Sequence, residues 1–288
     1  MEFKEIPNNI LEVKQVKMKC DNVLCDKKGM KPPYPLPEKS GFCMWINGFS
    51  GSGKTTLLMN ILTKRNKDKM KRSYRGCFNN ILYVNPSSRT LPDNNEFSKL
   101  SEDKKFNEIN EELFDKIEEL DEDDEKNILL VLDDVSSQLK KNKYIEKKLG
   151  QILQNRRHIG GGLSCIFITQ KLKDCPTNIR ANINMLITFK PKNIPEYEAI
   201  TKEYLNMKPD DSRELFKYVF QNKNDFLVID MTLRKGADFL FFRNFNLIQI
   251  SKKNNISDNN INNGDEKRES KKTEESENKK TEESKKDS

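Results

Sequence analysis

The chain alternates short, almost unbroken apolar runs with longer polar or amphipathic stretches. The runs are GFCMWIN (Gly41–Asn47), NILYVNP (Asn80–Pro86), NILLVLDD (Asn127–Asp134), GLSCIFITQ (Gly162–Gln170) and NMLITFK (Asn184–Lys190). Runs of this length that do not alternate predict strands covered on both faces, as in a parallel sheet. Helical patterns separate several of them, notably Lys54–Lys64 and Lys143–His158. The alternation predicts an α/β fold with a mostly parallel central sheet flanked by helices. Two later runs, DFLVIDM and ADFLFFRN, flank TLRKG and predict a C-terminal β-hairpin. The acidic stretch Glu108–Glu125 reads as a solvated helix and loop whose charges have no required chemistry.

The pattern weakens at both ends. Residues 1–39 alternate only faintly and close on KPPYPLPE, a proline-rich approach that stops a helix and delivers the chain extended. The expected organisation is an N-terminal extension over 1–39, a domain over 40–250 and a disordered charged tail over 251–288. The tail holds a near-repeat, KKTEES at Lys271 and again at Lys279, and too few apolar residues to order itself. It carries ten basic and ten acidic residues, so the whole net charge of +7 sits upstream of it. That excess suits a polyanionic partner, and a Lys-rich, Asn-rich solvated surface accounts for it equally. The N-terminus lacks the apolar core of a signal peptide, and no apolar stretch approaches the roughly 20 residues that span a bilayer. Together these predict a soluble intracellular protein with no membrane partner. Cys43 and Cys165 fall inside apolar runs, where free cysteine packs as a small hydrophobe. Cys20 and Cys25 form a lone C-x4-C without a second ligand pair, which predicts loop thiols in place of structural zinc.

One junction between a predicted strand and a predicted helix carries chemistry. Gly48-Phe49-Ser50-Gly51-Ser52-Gly53-Lys54-Thr55 matches G-x-x-x-x-G-K-[ST] at every fixed position. Glycines permit a backbone curl whose N–H groups face phosphate oxygens, and the following helix adds its positive end. Lys54 is expected to reach the β and γ phosphates, and Thr55 to ligate Mg2+. Gly48, Ser50, Gly51, Ser52, Gly53, Lys54, Thr55 and Thr56 together form the expected nucleotide-binding set, with ATP and Mg2+ as cofactors. The fold expected around such a loop is that of a P-loop NTPase.

Two further strand ends complete the constellation. Asp133 closes an apolar strand and is expected to hold the metal, with Thr55, through water; Asp134 beside it aligns the attacking water. Gln170 closes another strand, where an amide can bond the γ phosphate and the water. Arg156, Arg157 and His158, the single histidine, end a predicted helix, where cations suit the dipole in any case. An arginine entering a neighbouring subunit's site is the functional alternative; Arg157 is the candidate, and Arg180 competes for the role. The basic stretch KDKMKRSYRG (Lys67–Gly76) is suited to DNA phosphates, but a solvated surface accounts for it better.

The ordered set of phosphate loop, LLVLDD, NRRHIGGGLSCIFITQ and IRANINMLITF resembles the DNA-packaging ATPases of nucleocytoplasmic large DNA viruses, poxvirus type, and their virophage relatives, within the FtsK/HerA group of P-loop motors. The similarity runs from about Gly41 to Lys190. It implies an ATP-driven homo-oligomeric ring that pulls double-stranded DNA, whatever its sequence, into a preformed capsid, in partnership with capsid or portal proteins. It also implies a place in the host cytoplasm, at the viral factory, and in the virion. The roles it implies are ATP and metal binding for Lys54 and Thr55, metal and water for Asp133 and Asp134, γ-phosphate sensing for Gln170, and an arginine finger at Arg157. Related motors often carry Glu where this chain has the shorter Asp134. Two other functions use the same cradle: a small-molecule (nucleoside or nucleotide) kinase, which needs an acceptor pocket and a lid with arginines, and a nucleotide-gated scaffold without turnover.

Overall fold

The computed structural model describes residues 22–63, 73–87, 95–123, 125–232 and 239–250. The expected charged tail, Cys20 and the start of the basic stretch at Lys67 lie outside these residues. Strands β1 (Cys43–Asn47), β2 (Asn80–Val84), β3 (Lys105–Phe106), β4 (Ile128–Asp133), β5 (Leu163–Thr169), β6 (Met185–Phe189), β7 (Phe226–Asp230), β8 (Leu240–Arg243) and β9 (Asn246–Leu247) form one nine-stranded sheet. Its order is β3-β2-β4-β5-β1-β6-β7-β8-β9. The six strands from β3 to β6 pair in parallel, and β7, β8 and β9 continue the sheet antiparallel. The expected hairpin is β7 and β8, with Val228 opposite Phe242.

Apolar residues on successive positions of each strand divide between two cores, the arrangement expected of a sheet covered on both faces. Trp45, Leu130, Leu132, Phe167 and Leu186 face one core. Helices α2 (Glu111–Asp121), α4 (Lys143–Asn155), α6 (Ile194–Ile200) and α7 (Pro209–Val219) cover that face with Phe114, Leu149, Ile200 and Val219 among others. Met44, Ile46, Val131, Ile168 and Ile187 face the other, which is covered by α1 (Lys54–Thr63) through Leu58, Ile61 and Leu62. Leu24 and Leu36, upstream of Ser40, complete this second core.

Asparagines start several helices. Asn110 Oδ1 accepts the Leu113 N–H ahead of α2, Asn142 Oδ1 those of Tyr144 and Ile145 ahead of α4, and Asn193 Oδ1 that of Glu196 in α6. Each satisfies donors that the first helical turn leaves open. Two short helices, α3 (Ser136–Lys141) and α5 (Thr177–Arg180), complete the connections. Among the described residues, cysteines 25, 43, 77, 165 and 175 are free thiols, and no helix is long and apolar enough to cross a membrane.

Candidate functional site

Strand order decides what meets at the edge of the sheet. β5 lies between β1 and β4, with Cys43 opposite Cys165 and Leu130 opposite Cys165 on its other side. Since all three strands run in parallel, the loop after β1, the acid pair at the end of β4 and Gln170 after β5 emerge at one edge. Ser50, Gly51, Gly53, Lys54, Thr55, Thr56, Asn85, Ser87, Asp133, Asp134, Thr169 and Gln170 line one cavity of about 350 Å³ there. Gly48 and Ser52 are not part of this wall; Gly48 lies close to the Ser52 hydroxyl and to Phe189 at the end of β6.

The loop's glycines are set by contact and by dihedral angle. A Cβ on Gly48 would stand 2.7 Å from Ser52 Oγ and 2.8 Å from Phe189 Cβ, so only glycine lets the chain pass. Gly51 and Gly53 have φ of 79° and 108°, conformations that other residues rarely adopt. Lys54 Nζ donates to the carbonyls of Gly48 (2.6 Å) and Phe49 (3.1 Å), curling back over its own loop. Burial pulls its ammonium below the usual lysine value, against the charges of Asp133 and Asp134, which act the other way.

Asp133 is buried, and Asp134 beside it turns the chain sharply out of β4 with φ of 58°. Burial lifts Asp133 to about 6, helped by the charge of Asp134 and opposed by a hydrogen bond from Tyr83 and by Lys54. Gln170 Nε2 donates to Asp134 Oδ2 at 2.9 Å. The strand ends are themselves tied: the Trp45 indole N–H donates to Thr169 Oγ1 at 2.9 Å, and that hydroxyl stands 3.1 Å from Asn47 Oδ1.

The residues fit a magnesium nucleotide. The wall offers hydroxyl and carboxylate oxygens, from Thr55 and Asp133, with no histidine or cysteine, which suits a hard cation. The first turn of α1 holds no acid, so its positive end is left for an anion. The Ser52 hydroxyl oxygen is buried with no hydrogen-bond partner among the described residues.

The arginine candidates lie elsewhere. Arg156, Arg157 and His158 precede β5 and Arg180 precedes β6, so they sit at the opposite edge of the sheet. The seven residues of β5 put them roughly 20 Å from the cradle of their own chain. Arg156 is held by the carbonyls of Gly41 and Leu153, and Arg180 by Glu203 and Thr177; Arg157 is exposed, with its Cα and the stem of its side chain close over Gly41. Lys54 is the only cation among the described residues lining the cavity. Tyr74, the one aromatic of the basic stretch, is buried, stacked on Phe42 with its hydroxyl donating to Pro37 O, and so cannot contact DNA.

Three lining or supporting residues carry no motif: Tyr83, Asn85 and Ser87. Their signal was the position of NILYVNP, since the end of any parallel strand emerges at the same edge as the phosphate loop. A larger groove of about 1270 Å³ opens between α6 and α7, over Ile194, Tyr197, Met207 and Phe216 with a rim of lysines. It holds no acid pair and lacks the phosphate loop, so its size does not make it the reaction site.

A profile of the Poxvirus A32 protein family matches residues 36–231. No curated protein matches the sequence. Among solved structures the chain is similar to B204, the DNA-packaging ATPase from Sulfolobus Turreted Icosahedral Virus, at 17% identity and a TM-score of 0.46, covering 66% of this chain and 93% of that one. It is similar to EssC, ATPases 2 and 3, from Geobacillus thermodenitrificans at 16% identity and a TM-score of 0.44, covering 70% and 39%. The pCW3 conjugation coupling protein TcpA gives 14% identity and 0.42, covering 70% and 60%.

Proposed function

The chain belongs to the Poxvirus A32 protein family, the poxvirus type of DNA-packaging ATPase, and from that premise we propose how its own residues hydrolyse ATP and move DNA. The observation that carries the reading is the convergence of Lys54, Asp133, Asp134 and Gln170 on one cavity from three neighbouring parallel strands.

In this reading the loop's N–H groups and the end of α1 hold the phosphates, and Lys54 leaves the Gly48 and Phe49 carbonyls for the β and γ oxygens. Thr55 and Asp133 would hold Mg2+, whose charge would offset that of the transferred phosphoryl group. Asp134, held by Gln170, orients the water that attacks the γ phosphorus as the bond to the ADP oxygen breaks. Because Gln170 contacts Asp134 directly, its release toward a γ phosphate and its return after phosphate loss would differ in what β5 presents to the surface.

Lys54 is the only cation lining the cavity among the described residues, and a neighbouring subunit's arginine is the proposed source of a second positive charge. Arg157, exposed at the opposite edge of the sheet, reaches a neighbour's cavity if subunits stack edge to edge in a closed homo-oligomeric ring. Double-stranded DNA without sequence preference is the substrate moved, with a capsid or portal protein as docking partner. The setting is the infected cell, at the viral factory, and the virion.

The test is steady-state ATP hydrolysis with and without duplex DNA, alongside the mass of the assembly. Duplex-stimulated turnover by an oligomer supports the motor. Turnover that duplex DNA leaves unchanged across salt and protein concentrations overturns it, and label transferred from ATP to a nucleoside would assign a kinase instead.

A further inference from the structure

A chain of three hydrogen bonds runs from the acid pair into β2. The Tyr83 hydroxyl stands 3.3 Å from Asp133 Oδ2, and Asn85 Nδ2 donates to the same hydroxyl at 2.6 Å. Asn85 Oδ1 in turn accepts the Ser87 N–H at 2.7 Å. The directions are fixed by chemistry. A backbone N–H can only donate, so Ser87 sets which end of the Asn85 amide faces Tyr83. The amide donor then occupies a lone pair of the phenol oxygen, and the phenol's single proton is left to Asp133.

The rest of the tyrosine is immobilised. Its ring stacks on Phe97 with centroids 3.8 Å apart and planes within 6°, and the side chain is 4% exposed. Asn85 is equally buried, its N–H donating to Phe106 O on β3. Asn85 and Ser87 both lie in the cavity wall, yet neither belongs to the phosphate loop, the acid pair or the glutamine.

We infer that Tyr83 and Asn85 are positioning residues of the nucleotide site, which clamp Asp133 Oδ2 and so fix the carboxylate with Oδ1 as the oxygen offered to the metal. This rests on the reading of Asp133 as a metal-holding residue. A carboxylate with both oxygens free rotates and offers the metal several geometries, whereas one with an oxygen pinned offers a single one. Groups that orient a metal's ligands are worth about 10- to 100-fold in affinity or activity. Because the three bonds act in series, loss of either donor breaks the same clamp.

The experiment measures Mn2+ binding in the presence of ADP, by the paramagnetic signal of the free ion, and separately ADP binding in chelator. Tyr83→Phe keeps the ring on Phe97 and removes only the hydroxyl. The expected result is a Mn2+ dissociation constant raised about tenfold, with metal-free ADP affinity within twofold of wild type. Asn85→Ala, with the tyrosine intact, is expected to weaken Mn2+ in the same direction. The double variant is expected to be no weaker than Tyr83→Phe alone, since one clamp cannot be broken twice. Wild-type Mn2+ affinity in both single variants, while Asp133→Ala abolishes binding, overturns the clamp and leaves Asp133 in its role. Unchanged Mn2+ affinity in Asp133→Ala as well overturns both. Additive losses in the double variant would assign Tyr83 and Asn85 independent effects and contradict the series.

Discussion

Gln170 Nε2 donates to Asp134 Oδ2 across 2.9 Å, joining the residue after β5 to the residue after β4. These strands are neighbours in the sheet, although the helices α3 and α4 and a glycine turn separate them in sequence. The contact places a neutral amide donor on the carboxylate that faces the water in the proposed reaction, and in that reaction the amide would exchange Asp134 for a phosphate oxygen. Gln170→Ala is expected to lower kcat by about 10²-fold, the scale for one preorganised donor in a transition state, with ATP affinity changed less than threefold. Single-turnover hydrolysis together with equilibrium nucleotide binding measures both quantities. Gln170→Glu sets a second carboxylate against Asp134 and is expected to fall at least as far.

Lys54→Ala removes the cavity's cation. The expected loss is about 10³-fold in kcat/KM or more, measured by phosphate release, with the melting temperature of the nucleotide-free protein unchanged or raised. The rise has a physical source, since burial disfavours the Lys54 ammonium in the empty cavity.

Gly48→Ala tests the loop's backbone. Its Cβ would press on Ser52 Oγ and on Phe189 Cβ inside 3 Å, and crowding a packed site costs about 1–3 kcal/mol. Chemical denaturation is expected to show that loss, and calorimetry a loss of nucleotide binding. By contrast, nothing stands within 4 Å of a Cβ on Gly51, whose φ of 79° alone opposes substitution, so Gly51→Ala is expected to be the milder change.

Thr169→Val keeps the shape of the side chain and removes the oxygen that accepts the Trp45 indole N–H. A buried donor left without a partner costs about 1–3 kcal/mol. Trp45 is the only tryptophan, so its fluorescence during urea unfolding reports the loss directly, and Thr169→Ser is expected to recover most of it.

Asp225 links the hairpin β7–β8. Burial would raise its carboxyl, but Asn244, the Asn222 N–H and the Arg243 guanidinium together outweigh burial and bring it down to about 2. Its folded value is thus below the ordinary 3.8, so the stabilisation is complete above about pH 4 and is lost as pH falls toward 2. The linked contribution at neutral pH is roughly 2 kcal/mol. Unfolding free energy measured from pH 6 to pH 2 is expected to fall less steeply in Asp225→Asn than in wild type.

Much of this was legible in the sequence because parallel strands leave an unusually plain record. NILLVLDD and GLSCIFITQ are nearly continuous apolar runs since both faces of β4 and β5 are buried, and the chemistry sits on the polar residues at their C-terminal ends. The phosphate loop was legible because Gly48, Gly51 and Gly53 answer a steric demand that few other residues meet. What stayed hidden depends on distances between strands. The order that puts β5 between β1 and β4 is written in no local pattern, and neither is the placement of Arg157 and Arg180 at the far edge. Tyr83 and Asn85 look like any strand end until β2 is seen beside β4. The two-residue strands β3 and β9 are too short to leave a period, and Tyr74, expected in a basic surface loop, was drawn under Phe42 by packing that charge patterns do not report.

A structure of the protein with Mg2+ and a slowly hydrolysed ATP analogue tests the central claim most directly. The account predicts the γ phosphate at about 3 Å from Lys54 Nζ and Gln170 Nε2, the metal about 2.1 Å from Thr55 Oγ1 on the Asp133 side of the same cavity, and Lys54 withdrawn from the Gly48 and Phe49 carbonyls. A nucleotide bound in the groove over Tyr197 and Phe216, with the cradle empty and Lys54 still curled on its own loop, would contradict it.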